Sequence, residues 1–262
     1  MQKIYVSHFI TIKYLCYRGE KKRLNHQELL KQSCEQMDIP LSQEQIQQFM
    51  AYKDCLLEWN EKMNLTAITE EKEIIQKHFV DCISIATASM PKENASVIDV
   101  GTGAGFPGVP LKIVFPSLKV TLLDSLQKRI SFLEEVVNRL QLQGINCIHS
   151  RAEDGGQNVL YREQFDYCMS RAVASLPVLL EYCLPFVKEG GYFISMKGPG
   201  VQEELKDSQK ALEILGGRVE RIQEVAIPYT DLKHTIVVIK KIGQTPKQYP
   251  RKAGKIIKNP IV

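Results

Sequence analysis

Apolar and polar positions along the chain predict strands and helices that alternate. Short apolar runs predict strands over residues 96–100, 119–124, 145–149, 165–170 and 191–197. Amphipathic segments predict helices between and after them, over about 108–115, 126–142, 175–184 and 201–215. Two further apolar runs, 218–227 and 234–239, are only a turn apart and should pair as an antiparallel hairpin. Together they predict a doubly wound, mostly parallel sheet of seven strands that ends in this hairpin.

The segment before the first strand is predicted to be helical. Ser42 and Gln45 form a capping-box pattern, and acidic residues from Glu70 onward mark a second helix start. A shorter helix is predicted over residues 27–37. We therefore divide the chain into an N-terminal helical cap, an α/β domain and an extended basic tail, over residues 24–90, 91–242 and 243–262, with residues 1–23 as a separate extension.

Composition indicates a reducing compartment. The seven cysteines are scattered, and none forms the Cys-x-x-Cys pairs typical of a zinc site. Residues 1–17 lack the cleavage site of a signal peptide, and no apolar run approaches the roughly 20 residues needed to span a bilayer. We expect a cytoplasmic protein without a metal site or a membrane partner.

Charge is distributed unevenly along the chain. The net charge is only +4, but residues 232–262 hold eight basic and no acidic side chains, while residues 24–231 hold 20 basic and 29 acidic ones. A solvated tail and a tail that binds RNA phosphates both fit this pattern.

A glycine-rich loop follows the first predicted strand. Gly101, Gly103 and Gly105 alternate after Asp99, and such a loop lets a ligand approach the backbone. A dinucleotide site requires glycine where this chain has Phe106. The loop instead resembles the first motif of S-adenosylmethionine-dependent methyltransferases. Asp124 ends the second strand 23 residues after Gly101, where an acid can hold ribose hydroxyls.

Several further motifs resemble one enzyme family. They are Asn64-Leu65-Thr66, Lys77-His78-Phe79-Val80-Asp81, Ser150-Arg151-Ala152-Glu153, Ser170-Arg171-Ala172 and Tyr249-Pro250-Arg251-Lys252-Ala253-Gly254. Together with the glycine loop they are similar to the RsmG family, also called GidB, over about residues 24–262. The resemblance implies a class I, Rossmann-like methyltransferase that modifies guanine N7 in small-subunit (16S) ribosomal RNA. Cys82 and Ile256 depart from the family pattern, and residues 1–23 match nothing in it.

The resemblance also implies roles for individual residues. The implied cofactor contacts are Gly101, Phe106, Ala152, Glu153 and Arg171, and the glycine-loop and strand-end patterns add Gly103 and Asp124. Asn64, His78 and Arg171 are candidates for substrate positioning. The residues predicted to contact RNA are Lys197, Lys247, Arg251, Lys252, Lys255 and Lys258. Alternative interpretations stay open: a core aromatic for Phe106, a surface ion pair for Arg171, a buried structural pair for His78 and Asp81, and a solvated side chain for Lys197.

Two motifs that are absent from the sequence exclude other methylation reactions. The segment after residue 170 lacks the Asn/Asp-Pro-Pro-aromatic clamp of enzymes that methylate exocyclic adenine nitrogens. Cys168 lies within a strand, where it is poorly placed as the nucleophile for carbon-five pyrimidine methylation. Guanine N7 requires neither, since its lone pair is free. Arg171 is then expected to meet a phosphate, the cofactor carboxylate or guanine O6.

Three functions remain in competition. The first is a monomeric methyltransferase that acts on the 30S particle or an assembly intermediate. The second is an RNA-binding assembly factor that senses the cofactor without turnover. The third, an NAD-linked oxidoreductase, is disfavoured by Phe106.

Overall fold

A computed structural model describes residues 24–171, 174–198 and 200–262, so the extension over residues 1–23 lies outside it. The seven strands are β1 Ser96–Val100, β2 Lys119–Asp124, β3 Ile145–His149, β4 Phe165–Arg171, β5 Val187–Lys197, β6 Gly217–Ala226 and β7 Lys233–Lys241. They form one sheet in the order β3-β2-β1-β4-β5-β7-β6. The first five are parallel, and β7 runs antiparallel to both β5 and β6. The predicted fold class is confirmed.

Helices precede the sheet. They are α1 His26–Glu35, α2 Gln43–Met63, α3 Glu71–Ile74, α4 Asp81–Ile83 and α5 Ile85–Ala88. The capping box is present, because Gln45 N donates to Ser42 Oγ over 3.2 Å and Ser42 N donates to Gln45 Oε1 over 2.8 Å. The second predicted helix is not continuous: a π-helical turn, Ile75–Val80, separates α3 from α4. Such turns occur often at functional sites.

The helices that follow are α6 Gly108–Val114, α7 Gln127–Arg139, α8 Ala152–Gln157, α9 Leu176–Cys183, α10 Val201–Asp207, α11 Gln209–Leu215 and α12 Ala253–Lys258. We predicted one helix over residues 201–215, but it divides at Ser208, whose hydroxyl donates to the Glu204 carbonyl over 2.6 Å. Such a bond back to the preceding turn bends or interrupts helices. Helix α8 was not predicted.

Helices cover both faces of the sheet. On one face the N-terminal helices share a core with α6 and α7, in which Phe49, Phe79 and Leu133 are buried. On the other face Leu180, Phe193 and Leu212 form a second core, which Ile261 of the tail joins. The sequence predicts an extended tail, but the tail packs against the domain. Ile256 of α12 is fully buried. Because helices cover both faces, the loops that follow the parallel strands lie together at the carboxyl edge of the sheet.

Candidate functional site

The candidate site lies where the chain reverses its winding direction. Strand β1 stands between β2 and β4, so the loops after β1 and β4 diverge at the carboxyl edge of the sheet. Ligands of open α/β sheets bind in the crevice at such a switch point. The two strand ends are joined here, because Ser170 Oγ donates to the Val100 carbonyl over 3.0 Å.

The glycine loop connects β1 to α6. Its three glycines have positive φ angles of 69° at Gly101, 60° at Gly103 and 96° at Gly105. A Cβ at Gly105 would lie 2.7 Å from both Tyr52 Oη and Val109 Cγ2, whereas a Cβ at Gly103 would meet nothing within 4 Å. Packing thus requires the third glycine, while Gly103 borders open space.

Asp99 presents an unpaired carboxylate oxygen beneath this loop. Its Oδ2 accepts hydrogen bonds from Thr102 Oγ1 over 2.6 Å and from Gly108 N over 2.8 Å. Its Oδ1 is buried and has no hydrogen-bond partner among the described residues. Burial raises the pKa of Asp99 to about 6, against the opposing effect of those two hydrogen bonds. The free oxygen Oδ1 is able to accept a hydrogen bond from a donor on a ligand.

Asp124 holds the loop and keeps some acceptor capacity. Its Oδ2 accepts from Gly103 N over 2.9 Å and from Arg129 Nη1 over 3.2 Å, and its Oδ1 accepts from Leu126 N over 2.9 Å. A carboxylate oxygen has two lone pairs, so Oδ1 can accept one more hydrogen bond, such as that of a ribose hydroxyl.

The adenine contacts expected at Ala152 and Glu153 lie at a helix start. They are the first two residues of α8, which follows β3 at the same edge of the sheet. The first N–H groups of a helix have no acceptor within it. These two residues can therefore offer backbone donors to a flat heterocycle.

Phe106 is a core aromatic that also supports the site. It is 5 % exposed and packs against Tyr52, with ring centroids 5.6 Å apart. The His78 ring stacks on it at 4.5 Å, and the Arg171 guanidinium lies 4.9 Å from its centroid. The side chain of Phe106 is therefore part of the core, as the alternative interpretation had it. His78 and Arg171 pack on its ring.

Arg171 is fixed by three hydrogen bonds. Its Nη1 donates to the Lys77 carbonyl and to Asp81 Oδ2, and its Nη2 donates to His78 Nδ1, each over 3.1 Å. Its side chain is 17 % exposed and that of Asp81 is 2 % exposed, so the ion pair is not the surface pair considered from the sequence. Arginine has five N–H donors. Within the described part of the chain, Nε–H and one Nη2–H have no protein acceptor.

His78 is a neutral spacer in this network. Because its Nδ1 accepts from Arg171, its proton lies on Nε2, which donates to Thr66 Oγ1 over 2.8 Å. Burial and the positive charge of Arg171 lower the pKa of His78 to about 4. With both ring nitrogens engaged, this side chain is not available as a base.

Sequence reasoning missed one member of the site, His234 at the start of β7. Its Nδ1 lies 2.5 Å from Asp81 Oδ1, opposite the oxygen that Arg171 contacts. The close contact with the Asp81 carboxylate raises the pKa of His234 above its ordinary value. No motif marks this residue, because the contact exists only once the hairpin has folded against α4.

Among the described residues, no hydrogen bond joins the Asn64 side chain to the network around Arg171. It is the exposed C-cap of α2, in the left-handed conformation that asparagine tolerates. The loop after it is ordered by Asn60, whose side chain accepts from Thr66 N over 2.9 Å. Thr66 in turn meets His78, so this loop continues the wall of the site.

Two residues predicted to contact RNA have partners inside the protein. Lys197 Nζ lies 2.7 Å from Glu204 Oε2 and donates to the Ala174 carbonyl, and its side chain is 9 % exposed. Arg251 forms two hydrogen bonds to the buried carboxylate of Glu181, over 2.8 and 2.6 Å. Both side chains therefore have a structural role in ion pairs, and their contact with RNA stays a prediction. Four tail residues are exposed as expected: Lys247, Lys252, Lys255 and Lys258.

Cys168 is fully buried in β4, and burial raises its pKa well above the ordinary value. It has no route to a substrate base.

No helix in the described residues is long and apolar enough to cross a membrane.

Comparisons with known proteins agree on one family. The profile described as "rRNA small subunit methyltransferase G" (GidB) matches residues 45–233. The chain is 55% identical over 233 residues to ribosomal RNA small subunit methyltransferase G of Alkaliphilus metalliredigens, covering 89% of this chain and 98% of that protein. It is 57% identical over 242 residues to the protein of the same name from Acetivibrio thermocellus, covering 92% and 99%.

A solved structure supports the fold. It is a chain of the "Complex between the Haloferax volcanii Trm112 methyltransferase activator and the putative methyltransferase", with a TM-score of 0.53 at 14% identity. The superposition covers 72% of this chain and 98% of that one.

Proposed function

Because the chain belongs to the GidB family of rRNA small subunit methyltransferases, we propose that it methylates guanine N7 in small-subunit (16S) ribosomal RNA. It acts in the cytoplasm, as a monomer, on the 30S particle or an assembly intermediate. The observation that carries the proposal is that two groups with unused hydrogen-bonding capacity lie at the switch point. There an unpartnered carboxylate oxygen of Asp99 and unfilled N–H donors of Arg171 flank the glycine loop.

The residues present fit S-adenosylmethionine. Asp99 Oδ1 is a buried acceptor without a partner, which suits the ammonium group, and Asp124 Oδ1 can accept one more hydrogen bond, from a ribose hydroxyl. No protein atom lies within 4 Å of a Cβ added at Gly103, and Ala152 offers a backbone donor to the adenine edge. When bound, the cofactor supplies an electrophilic methyl group on a sulfonium centre.

Arg171 directs the anionic part of the substrates. Its spare N–H groups can bind the cofactor carboxylate, an RNA phosphate or guanine O6. Contact with N7 itself is disfavoured, because positive charge moves onto the base as the methyl group is transferred.

The chemistry requires alignment more than proton transfer. Guanine N7 has a free lone pair at neutral pH, so no base is needed, in agreement with the engaged nitrogens of His78. No covalent adduct is needed either, in agreement with the burial of Cys168. Holding the two reactants in line can contribute roughly 7–11 kcal/mol.

Turnover separates this function from a cofactor-sensing assembly factor. We expect labelled S-adenosylmethionine and unmodified small subunits to yield labelled RNA at one guanine, with many methyl groups transferred per protein molecule. At most one equivalent per protein molecule, or none, would favour the sensor. Mapping the labelled position identifies the nucleotide.

The tail makes a separate prediction about RNA affinity. Replacing Lys247, Lys252, Lys255 and Lys258 by Gln should weaken binding and flatten its salt dependence, because each phosphate contact contributes about 0.7 to the logarithmic slope on single-stranded RNA. Affinity measured at several salt concentrations gives that slope. Truncation after Gly243 is a poorer test, because it would leave the buried Glu181 without Arg251 and remove Ile256 from the core.

A matched variant controls for net charge. The same four-charge change can be made at the exposed residues Lys31, Lys72, Lys206 and Lys210. We expect the control to keep most of the slope. Equal slopes in the two variants would mean that the tail lysines are only solvated.

A further inference from the structure

A carboxylate in the site is held from two sides. Asp81 is 1 % exposed, and its Oδ2 accepts from Arg171 Nη1. Its Oδ1 lies 2.5 Å from His234 Nδ1, an ion-pair contact without the geometry of a hydrogen bond, and no donor of the described residues forms a hydrogen bond to that oxygen. A buried carboxylate oxygen without a hydrogen bond is costly, so the charge of the nearby His234 imidazolium stabilises the Asp81 carboxylate in this orientation.

The three residues come from different parts of the fold. Asp81 begins α4, Arg171 ends β4, and His234 lies near the start of β7 in the terminal hairpin. His234 is 28 % exposed on its side chain, while Asp81 is buried. The imidazole of His234 thus brings the hairpin into contact with the buried carboxylate that binds Arg171.

We propose that His234 is a positioning residue, which orients Arg171 for the methyl-transfer reaction by holding the far oxygen of Asp81. This inference rests on the proposed function. Arg171 has three donors fixed by the protein, and Asp81 accepts one of them. If the carboxylate rotates, that donor is released and the two spare N–H groups lose their direction. A displacement of about 1 Å at such a group can reduce a rate roughly a hundredfold.

Two charged groups of the described residues act on His234. Asp81 of α4 and Arg171 of β4 act on its charge, the first favouring the imidazolium and the second opposing it. On its own strand the neighbouring Lys233 pairs with Glu224 of β6 over 3.1 Å. The imidazolium therefore depends mainly on Asp81, and it should lose its proton at a higher pH than a free histidine does.

A double-mutant cycle tests whether His234 acts through Asp81. We expect His234→Ala to reduce kcat/KM for unmodified small subunits roughly tenfold or more, mostly in kcat, while His234→Asn, which retains a donor near the Nδ1 position, recovers most of the loss. In an Asp81→Asn background, His234→Ala should have little further effect. His26→Asn is the matched control, since His26 pairs with Glu71 outside this network, and it should behave as wild type.

Imidazole NMR provides a readout that does not depend on activity. The His234 resonance, assigned by its absence in His234→Asn, should titrate above the ordinary histidine range, and Asp81→Asn should lower that pKa. Multiplicative effects in the cycle, or a pKa insensitive to Asp81, would overturn the proposal. If wild type transfers no methyl group at all, the proposed function fails, and the titration still decides whether Asp81 couples to His234.

Discussion

Replacing Arg171 by Lys should abolish most methyl transfer in a protein that still folds. Lysine keeps the positive charge beside Asp81, but it cannot at once bond the Lys77 carbonyl, Asp81 and His78 and direct two further N–H groups into the cleft. We expect kcat/KM to fall by at least about a hundredfold. The measurement is labelled methyl transfer to unmodified small subunits, with the unfolding temperature of each variant recorded.

The choice of lysine avoids a confounded result. Arg171→Ala would leave a buried carboxylate short of one cationic partner, at a cost of about 3–5 kcal/mol in stability. Arg218→Lys is the control, because Arg218 is exposed on β6. If Arg171→Lys retains wild-type kcat/KM, the residue serves only the fold.

Gly103→Asn should remove cofactor binding. The substitution adds a side chain where the protein leaves open space, and asparagine tolerates the positive φ of 60° with a backbone cost of about 1 kcal/mol. We expect the affinity for S-adenosylmethionine to fall by at least about a hundredfold, or roughly 2.8 kcal/mol. Titration calorimetry measures it directly.

Gly190→Asn is a matched control. Gly190 has a positive φ of 84° and no atom within 4 Å of an added Cβ, but it lies in the exposed first half of β5. It should bind the cofactor like wild type. Equal affinities for both variants would place the cofactor elsewhere, and wild-type binding of NAD in preference to S-adenosylmethionine would overturn the cofactor assignment.

Most of the parallel sheet was predictable from sequence because its strands contain short apolar runs bounded by glycine or charge, although residues 187–190 of β5 were not predicted. Strand β1 was predicted with the bounds it has, since residues 97–100 are buried on both faces. Local patterns of this kind do not reveal interruptions that depend on tertiary contacts. The π-helical turn at residues 75–80 and the division at Ser208 were missed for that reason.

The site was predictable where a backbone conformation demands a residue type. The glycine loop and Asp124 follow from strand ends and φ angles. Charged residues were harder to assign, because sequence shows a charge and not its partner. Arg251 lies in a basic run, yet a buried glutamate 70 positions earlier binds it. His234 went unnoticed for the converse reason, since its partner Asp81 belongs to a distant helix.

The identity of the product base tests the account most directly. N7-methylguanine carries a fixed positive charge, and borohydride reduction followed by aniline cleaves RNA only at such a ring. After incubation of unmodified small subunits with the protein and S-adenosylmethionine, we predict cleavage at one guanine of the small-subunit RNA, in step with methyl incorporation. Methyl incorporation without a cleavable guanine would contradict the assignment of N7 as the acceptor.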